Sequence, residues 1–131
     1  MPVDLLLDKE RKTVRTHAWG YVSIGDFAES IEKVIQLQDG GVLDGTWGQI
    51  IDMTDATSLD ELNEDDIARM VDMNPWPAGT RRAIVVTEER GIHLAKIYRK
   101  LGHKTGQEIT VVNTIEEAQN WVKSSLPDPA S

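Results

Sequence analysis

The 131-residue chain carries 22 acidic against 14 basic residues, a formal net charge of -8, and no cysteine. The length suits one domain, which buries about two-thirds of its unfolded surface without staples. Disulfide scaffolds, thiolate metal sites and cysteine nucleophiles are excluded, and the acidic balance opposes binding to phosphate backbones.

Residues 3–7 are rich in strand formers, and the polar run 8–11 reads as a turn. Residues 13–19 then alternate, with Val14, Thr16 and Ala18 on one side and Arg15, His17 and Trp19 on the other. That period of two predicts a second strand, antiparallel to the first. Ser23 with Asp26 forms a helix-start signal, and Ile24, Phe27, Ala28, Ile31, Val34 and Ile35 follow at helical spacing. Asp39-Gly40-Gly41 ends this helix. Residues 47–53 form a third strand, with Ile50 and Ile51 pointing to burial on both faces. Residues 54–61 are polar and acidic and are expected to form a loop. Asn63 with Asp66 starts a second helix, striped by Ile67, Met70 and Val71 and closed by Pro75 and Pro77. Residues 81–87, around Ala83-Ile84-Val85-Val86, form a buried strand. Leu94, Ile97, Tyr98 and Leu101 stripe a third helix, ended by Gly102. Residues 108–112 supply a fifth strand, and a Thr114–Glu117 capping box opens a last helix lined by Ile115, Ala118, Trp121 and Val122. The expected architecture is α/β, a five-stranded mixed sheet with helices packed against it, in the order ββαβαβαβα. One domain over residues 1–126 and a frayed tail over 127–131 complete the organisation.

No Gly-x-Gly-x-x-Gly, Gly-x-Ser-x-Gly or phosphate loop is present. His17, His93 and His103 lack paired ligand spacing, and Ser23 reads as a helix cap. The basic cluster Lys96, Arg99, Lys100, His103 and Lys104 suits a solvated helix C-terminus, where cations complement the macrodipole. Residues 1–7 lack a basic leader, and no apolar run nears the roughly 18 residues of a membrane span. The expectation is a cytoplasmic protein with no cofactor, no nucleic-acid partner and no membrane span. Two features carry chemistry. The acidic stretch from Asp52 offers carboxylates and hydroxyls at the carboxyl end of a strand, where open α/β sheets bind ligands and partners. It serves as a solvated loop with capping carboxylates, or as a hard-cation site at Asp52 and Asp55 for a metal-assisted enzyme. Trp76, between Pro75 and Pro77, is either a lid over the core or an exposed interface aromatic.

Together, the hairpin ending in Ala18-Trp19-Gly20-Tyr21-Val22, the strand Ile50-Ile51-Asp52-Met53, the strand Arg81–Val86 and the closing Glu116-Glu117-Ala118-Gln119-Asn120-Trp121 helix resemble the STAS domain (sulfate transporter and anti-sigma factor antagonist). The chain is most similar to small stand-alone bacterial STAS-like proteins, some grouped with lipid-binding domains. The resemblance spans nearly the whole chain and implies a non-enzymatic regulatory module. It implies docking on a kinase-like or anti-sigma-like protein through the region 54–73, with Asp52, Thr54, Asp55, Thr57, Ser58, Asp60 and Glu61 as the docking residues. In the family a serine or threonine at the start of the helix is phosphorylated and breaks the complex. That position falls on Glu61, so the usual phosphoacceptor is missing unless Thr57 or Ser58 replaces it. The alternative is a binder of a small apolar or lipid-like ligand, held where the wide helical stripes meet the sheet. A homodimer through the hairpin edge, Trp19 or Trp76 is a further expectation.

Overall fold

The computed structural model describes residues 3–59 and 62–123. Along the chain run β1 (Val3–Asp8), β2 (Thr13–Tyr21), α1 (Ile24–Asp39), β3 (Gly48–Ser58), α2 (Glu64–Asp72), β4 (Arg81–Val85), α3 (Glu89–His103), β5 (Glu108–Val112) and α4 (Ile115–Lys123). The expected order ββαβαβαβα is the observed one. The strands lie side by side as β1-β2-β3-β4-β5. β1 is antiparallel to β2, and every other pair is parallel. No helix among the described residues is long and apolar enough to cross a membrane.

Local signals account for the starts of α1, α2 and α4, whereas α3 begins without a side-chain cap. Ser23 caps α1, its side chain accepting from the Asp26 amide while Asp26 accepts from the Ser23 amide. Asn63 and Asp66 do the same for α2. At α4 the Glu117 amide donates to Thr114 Oγ1 at 3.1 Å. Each box satisfies amides that the first helical turn leaves without partners.

Register sorts the side chains into two faces, because directly opposed residues point the same way. Thr16, Ile51 and Ile84 lie in one row across the sheet. With Ile109 they meet Phe27 of α1, Ile67 and Met70 of α2, and Leu94 and Tyr98 of α3. Three helices therefore share one face. Arg15, Ile50 and Ala83 lie in a row on the other. There Ile50, Ala83 and Val85 pack on Ala118 and Val122 of α4. α4 covers β3, β4 and β5. Over β1 and β2 this face carries no helix among the described residues, and Leu6, Trp19 and Tyr21 stand 52%, 40% and 49% exposed.

The helix-facing side also carries a buried polar row. Gln49 Nε2 donates to Thr16 Oγ1 and Arg82 Nε to Gln49 Oε1, both at 2.8 Å, while the Arg82 guanidinium lies 5.2 Å from the centre of the Tyr98 ring. Mutual hydrogen bonding lowers the cost of burying these groups.

Two expectations need correction. The acidic stretch after Met53 is not a loop: β3 continues to Ser58. β2 also runs on to Tyr21, and its backbone pairs with β3 through two register shifts, between His17 and Trp19 and between Gly20 and Tyr21. Ladder pairing there overrides the poor strand propensity of aspartate. Trp76 is not an exposed interface aromatic. It is 4% exposed and packs with Val14, Val34, Leu43 and Trp47. Asn74 Nδ2 and Gln107 Nε2 donate to its carbonyl, which holds the Pro-flanked turn as a lid over the core.

Two glycines make the packing testable. At Gly48 an added Cβ would collide with Val122 Cγ1 and stand 3.0 Å from the Arg81 carbonyl, so glycine is what lets α4 settle on β3. At Gly91, inside α3, an added Cβ meets Leu59 and Val86 methyls at 3.4 Å. Gly91→Ala is expected to stabilise the fold by about 0.5–1 kcal/mol, since alanine is the better helix former. Gly48→Ala is expected to cost about 1–3 kcal/mol through overpacking. Urea denaturation of both variants checks the pair: two shifts of the same sign would contradict the packing of α3 or of α4.

Candidate functional site

The outer half of β3 meets the end of β2 on the bare face. Without a register shift, Asp52 and Asp55, three residues apart, would point to opposite faces. The shift sets two residues of β2 against three of β3, so that His17 opposes Asp52 and Trp19 opposes Asp55. Both carboxylates thereby come to one side, beside Arg15 and His17 of β2.

Arg15 Nη2 donates to Asp52 Oδ2 at 2.5 Å. The Thr54 amide and hydroxyl donate to Asp52 Oδ1 at 3.0 and 2.6 Å. Asp52 is 1% exposed, while the Arg15 side chain stays 39% exposed. Burial alone pushes the Asp52 carboxyl up. The Thr54 hydroxyl, the Arg15 guanidinium, the Thr54 amide and the Arg15 charge together outweigh it and hold the group below the usual carboxylate range. Further out, His17 Nε2 and Asp55 Oδ2 lie 2.7 Å apart, with Asp55 largely exposed. Trp19 Nε1 donates across to Asp4 Oδ2 of β1 at 3.1 Å. Gly20 adopts φ +66 beside the second shift, a conformation that suits glycine.

The docking residues expected from the sequence are therefore divided. Thr54, Asp55 and Thr57 are exposed, Ser58 is partly buried and Asp52 is buried. Asp60 and Glu61 lie outside the described residues. Trp76 sits apart, in the core cluster beneath α1. The cation reading of Asp52 and Asp55 finds no geometric basis. Both Asp52 oxygens are taken by donors, and among the described residues no three His, Asp or Glu side chains are placed to hold a metal. Carboxylates instead crown the adjoining helix starts: Glu64, Asp65 and Asp66 on α2, Glu89 on α3, and Glu116 and Glu117 on α4. There they complement the helix macrodipoles.

Sequence reasoning named Trp19 only as a dimer contact and missed Arg15, His17, Tyr21 and Asp4 as parts of this surface. The signal was the alternation of Arg15, His17 and Trp19. It marks the side of β2 turned away from the core.

No family model, curated protein or solved structure matches the chain.

The Asp52 cluster predicts a pH dependence. A carboxyl held below its unfolded value contributes stability that is complete above about pH 4 and is lost as the pH falls through the folded-state value. Asp52→Asn is expected to lose about 1–2 kcal/mol at pH 7. Its deficit relative to wild type should shrink as the pH falls below about 4. Arg15→Met, which strands a buried carboxylate, is expected to cost more, about 3 kcal/mol. Chemical denaturation at pH 7, 5, 4 and 3 reads all three curves, and a deficit for Asp52→Asn that stays constant with pH would contradict the assignment.

Proposed function

We propose that the chain is a non-enzymatic, STAS-like interaction module of the cytoplasm that docks a protein partner of the kinase-like or anti-sigma-like kind. The observation that supports this most strongly is the bare outer end of the β2–β3 pair. Trp19 and Tyr21 stand 40% and 49% exposed there, although large aromatics normally find cover. Exposed aromatics ringed by polar groups are the usual anchors of protein interfaces. Asp55, Thr54 and Thr57 flank them, and the acidic first turn of α2 follows β3 in the chain. The partner that fits is a surface with an apolar pocket and basic groups around it. If a hydroxyl switch operates on this surface, Thr57 is the better acceptor. Its side chain is exposed, whereas the Thr54 hydroxyl is tied to Asp52.

A second reading, a small apolar ligand, is supported by a void of about 50 Å³ on the opposite, helix-covered face. Ile51, Met53, Ile67, Met70, Leu94 and Tyr98 line it. A dry cavity that takes benzene measures about 150 Å³. A lipid chain entering here therefore requires the void to widen, and the docking reading has the simpler geometry.

Affinity capture from the source cell tests the docking reading, with wild type, Trp19→Ala and Asp55→Lys as baits and Glu108→Lys, on β5, as control. The two docking variants are expected to lose the captured partner by more than about tenfold with melting temperature unchanged, and the control to retain it. Equal capture by all four baits would overturn the assignment of the surface.

A further inference from the structure

The bare face has a second end. Toward the β1–β2 turn, where α4 stands beside the hairpin, it sinks into a groove of about 550 Å³. That is within the range of small-molecule sites. Leu6 of β1 and Ile50 of β3 give it an apolar part, Arg15 comes from β2, Arg11 from the turn, and Asn120 and Lys123 from α4.

The charge of this groove runs against that of the molecule. The chain carries a formal charge of -8, yet the lining holds three cations, Arg11, Arg15 and Lys123, against two carboxylates, Asp8 and Glu10. Asp8 and Arg11 offset one another, since Asp8 Oδ1 accepts from the Arg11 amide at 3.1 Å and its other oxygen lies 3.7 Å from the Arg11 guanidinium, which leaves Arg15 and Lys123 against Glu10. Lys123 forms no ion pair among the described residues. Arg15 gives one nitrogen to Asp52, while its Nε is buried with no hydrogen-bond partner. A buried guanidinium N–H without an acceptor is uncommon and costly. Asp52 holds the guanidinium in place while the Arg15 side chain stays 39% exposed, so the part of it that reaches the groove is pre-positioned for an acceptor.

We propose that this groove binds a small organic anion, a carboxylate or phosphate carried on a short apolar body. Its charge sits among Arg15, Arg11 and Lys123, with the Asn120 amide as a further donor. Its apolar body lies along Leu6 and Ile50. The site is separate from the docking surface, which occupies the opposite end of the same face, and either can fail without the other.

Titration of the full chain, followed by amide chemical shifts, tests this with four probes: octanoate, hexyl phosphate, inorganic phosphate and octanol. Octanoate or hexyl phosphate is expected to move the amides of Leu6, Arg15, Ile50 and Asn120 saturably, with a dissociation constant below about 1 mM. The stronger of the two identifies the head group, and octanol is expected to bind at least about tenfold more weakly. The double variant Arg11→Gln/Lys123→Gln changes exposed side chains only, and its undisturbed spectrum shows that it folds. It should weaken the anion by about tenfold or more, and added salt should do so too. Asn120→Asp, which sets a like charge against the ligand, should act in the same direction. No saturable shift with either organic anion, equal binding of octanol, or equal affinity in the variants would each overturn the proposal. Shifts confined to Ile67 and Met70 would overturn it as well, placing an apolar ligand in the void under α2 instead.

Discussion

Each parallel strand is laid down beside the one before it, and that neighbour-to-neighbour order governs the rest of the molecule. Crossovers of one hand that always step in the same direction put their helices on the same side of the sheet. α1, α2 and α3 accordingly share one face. Only α4 remains for the other. A helix of nine residues is about 13.5 Å long and 10–12 Å wide, whereas five strands span about 20 Å between the outer strand axes. α4 settles where the most apolar residues are, over Ile50, Ala83 and Val85, and β1 and β2 go without a cover.

The bare strip explains the chemistry of β2. A residue facing water need not be apolar, so Arg15, His17 and Trp19 alternate with the buried Val14, Thr16 and Ala18. At the edge of α4, however, the strip passes from open to covered. Asp52 lies on that boundary and is fully buried, with Arg15 and Thr54 satisfying both its oxygens. The strip thus divides into two ends with different character. The outer end carries aromatics and exposed carboxylates and suits a macromolecular surface. The inner end, walled by α4, is concave and relatively basic and suits a small anion.

Much of the fold was legible in the chain. Period-two alternation located β2, helical spacing and capping boxes located the helices, and the order of elements implied the mixed sheet. What stayed hidden depends on contacts distant in sequence. Residues 54–58 read as polar, with Asp55 and Ala56 poor strand formers, and pairing with an elongated β2 is what draws them into the sheet. The register shift that brings Asp52 and Asp55 to the same side leaves no mark in composition. Arg15 and Asp52 stand 37 residues apart. Trp76 was undecided from its neighbours, because two prolines announce a turn but not which way its side chain faces. Val34, Leu43 and Trp47 decide that.

The central claim is that one sheet face is covered by three helices and the other only in part. The tryptophans distinguish the two sides without any substitution. Trp19 is 40% exposed on the bare strip, while Trp47 and Trp76 are 6% and 4% exposed within the covered core. Hydroxyl-radical footprinting of the native chain, quantified residue by residue by mass spectrometry, reads them together. The account predicts rapid oxidation of Trp19, Tyr21 and Leu6, and protection of Trp47, Trp76 and Tyr98. Protection of Trp19 with rapid oxidation of Trp76, or equal rates throughout, would contradict it.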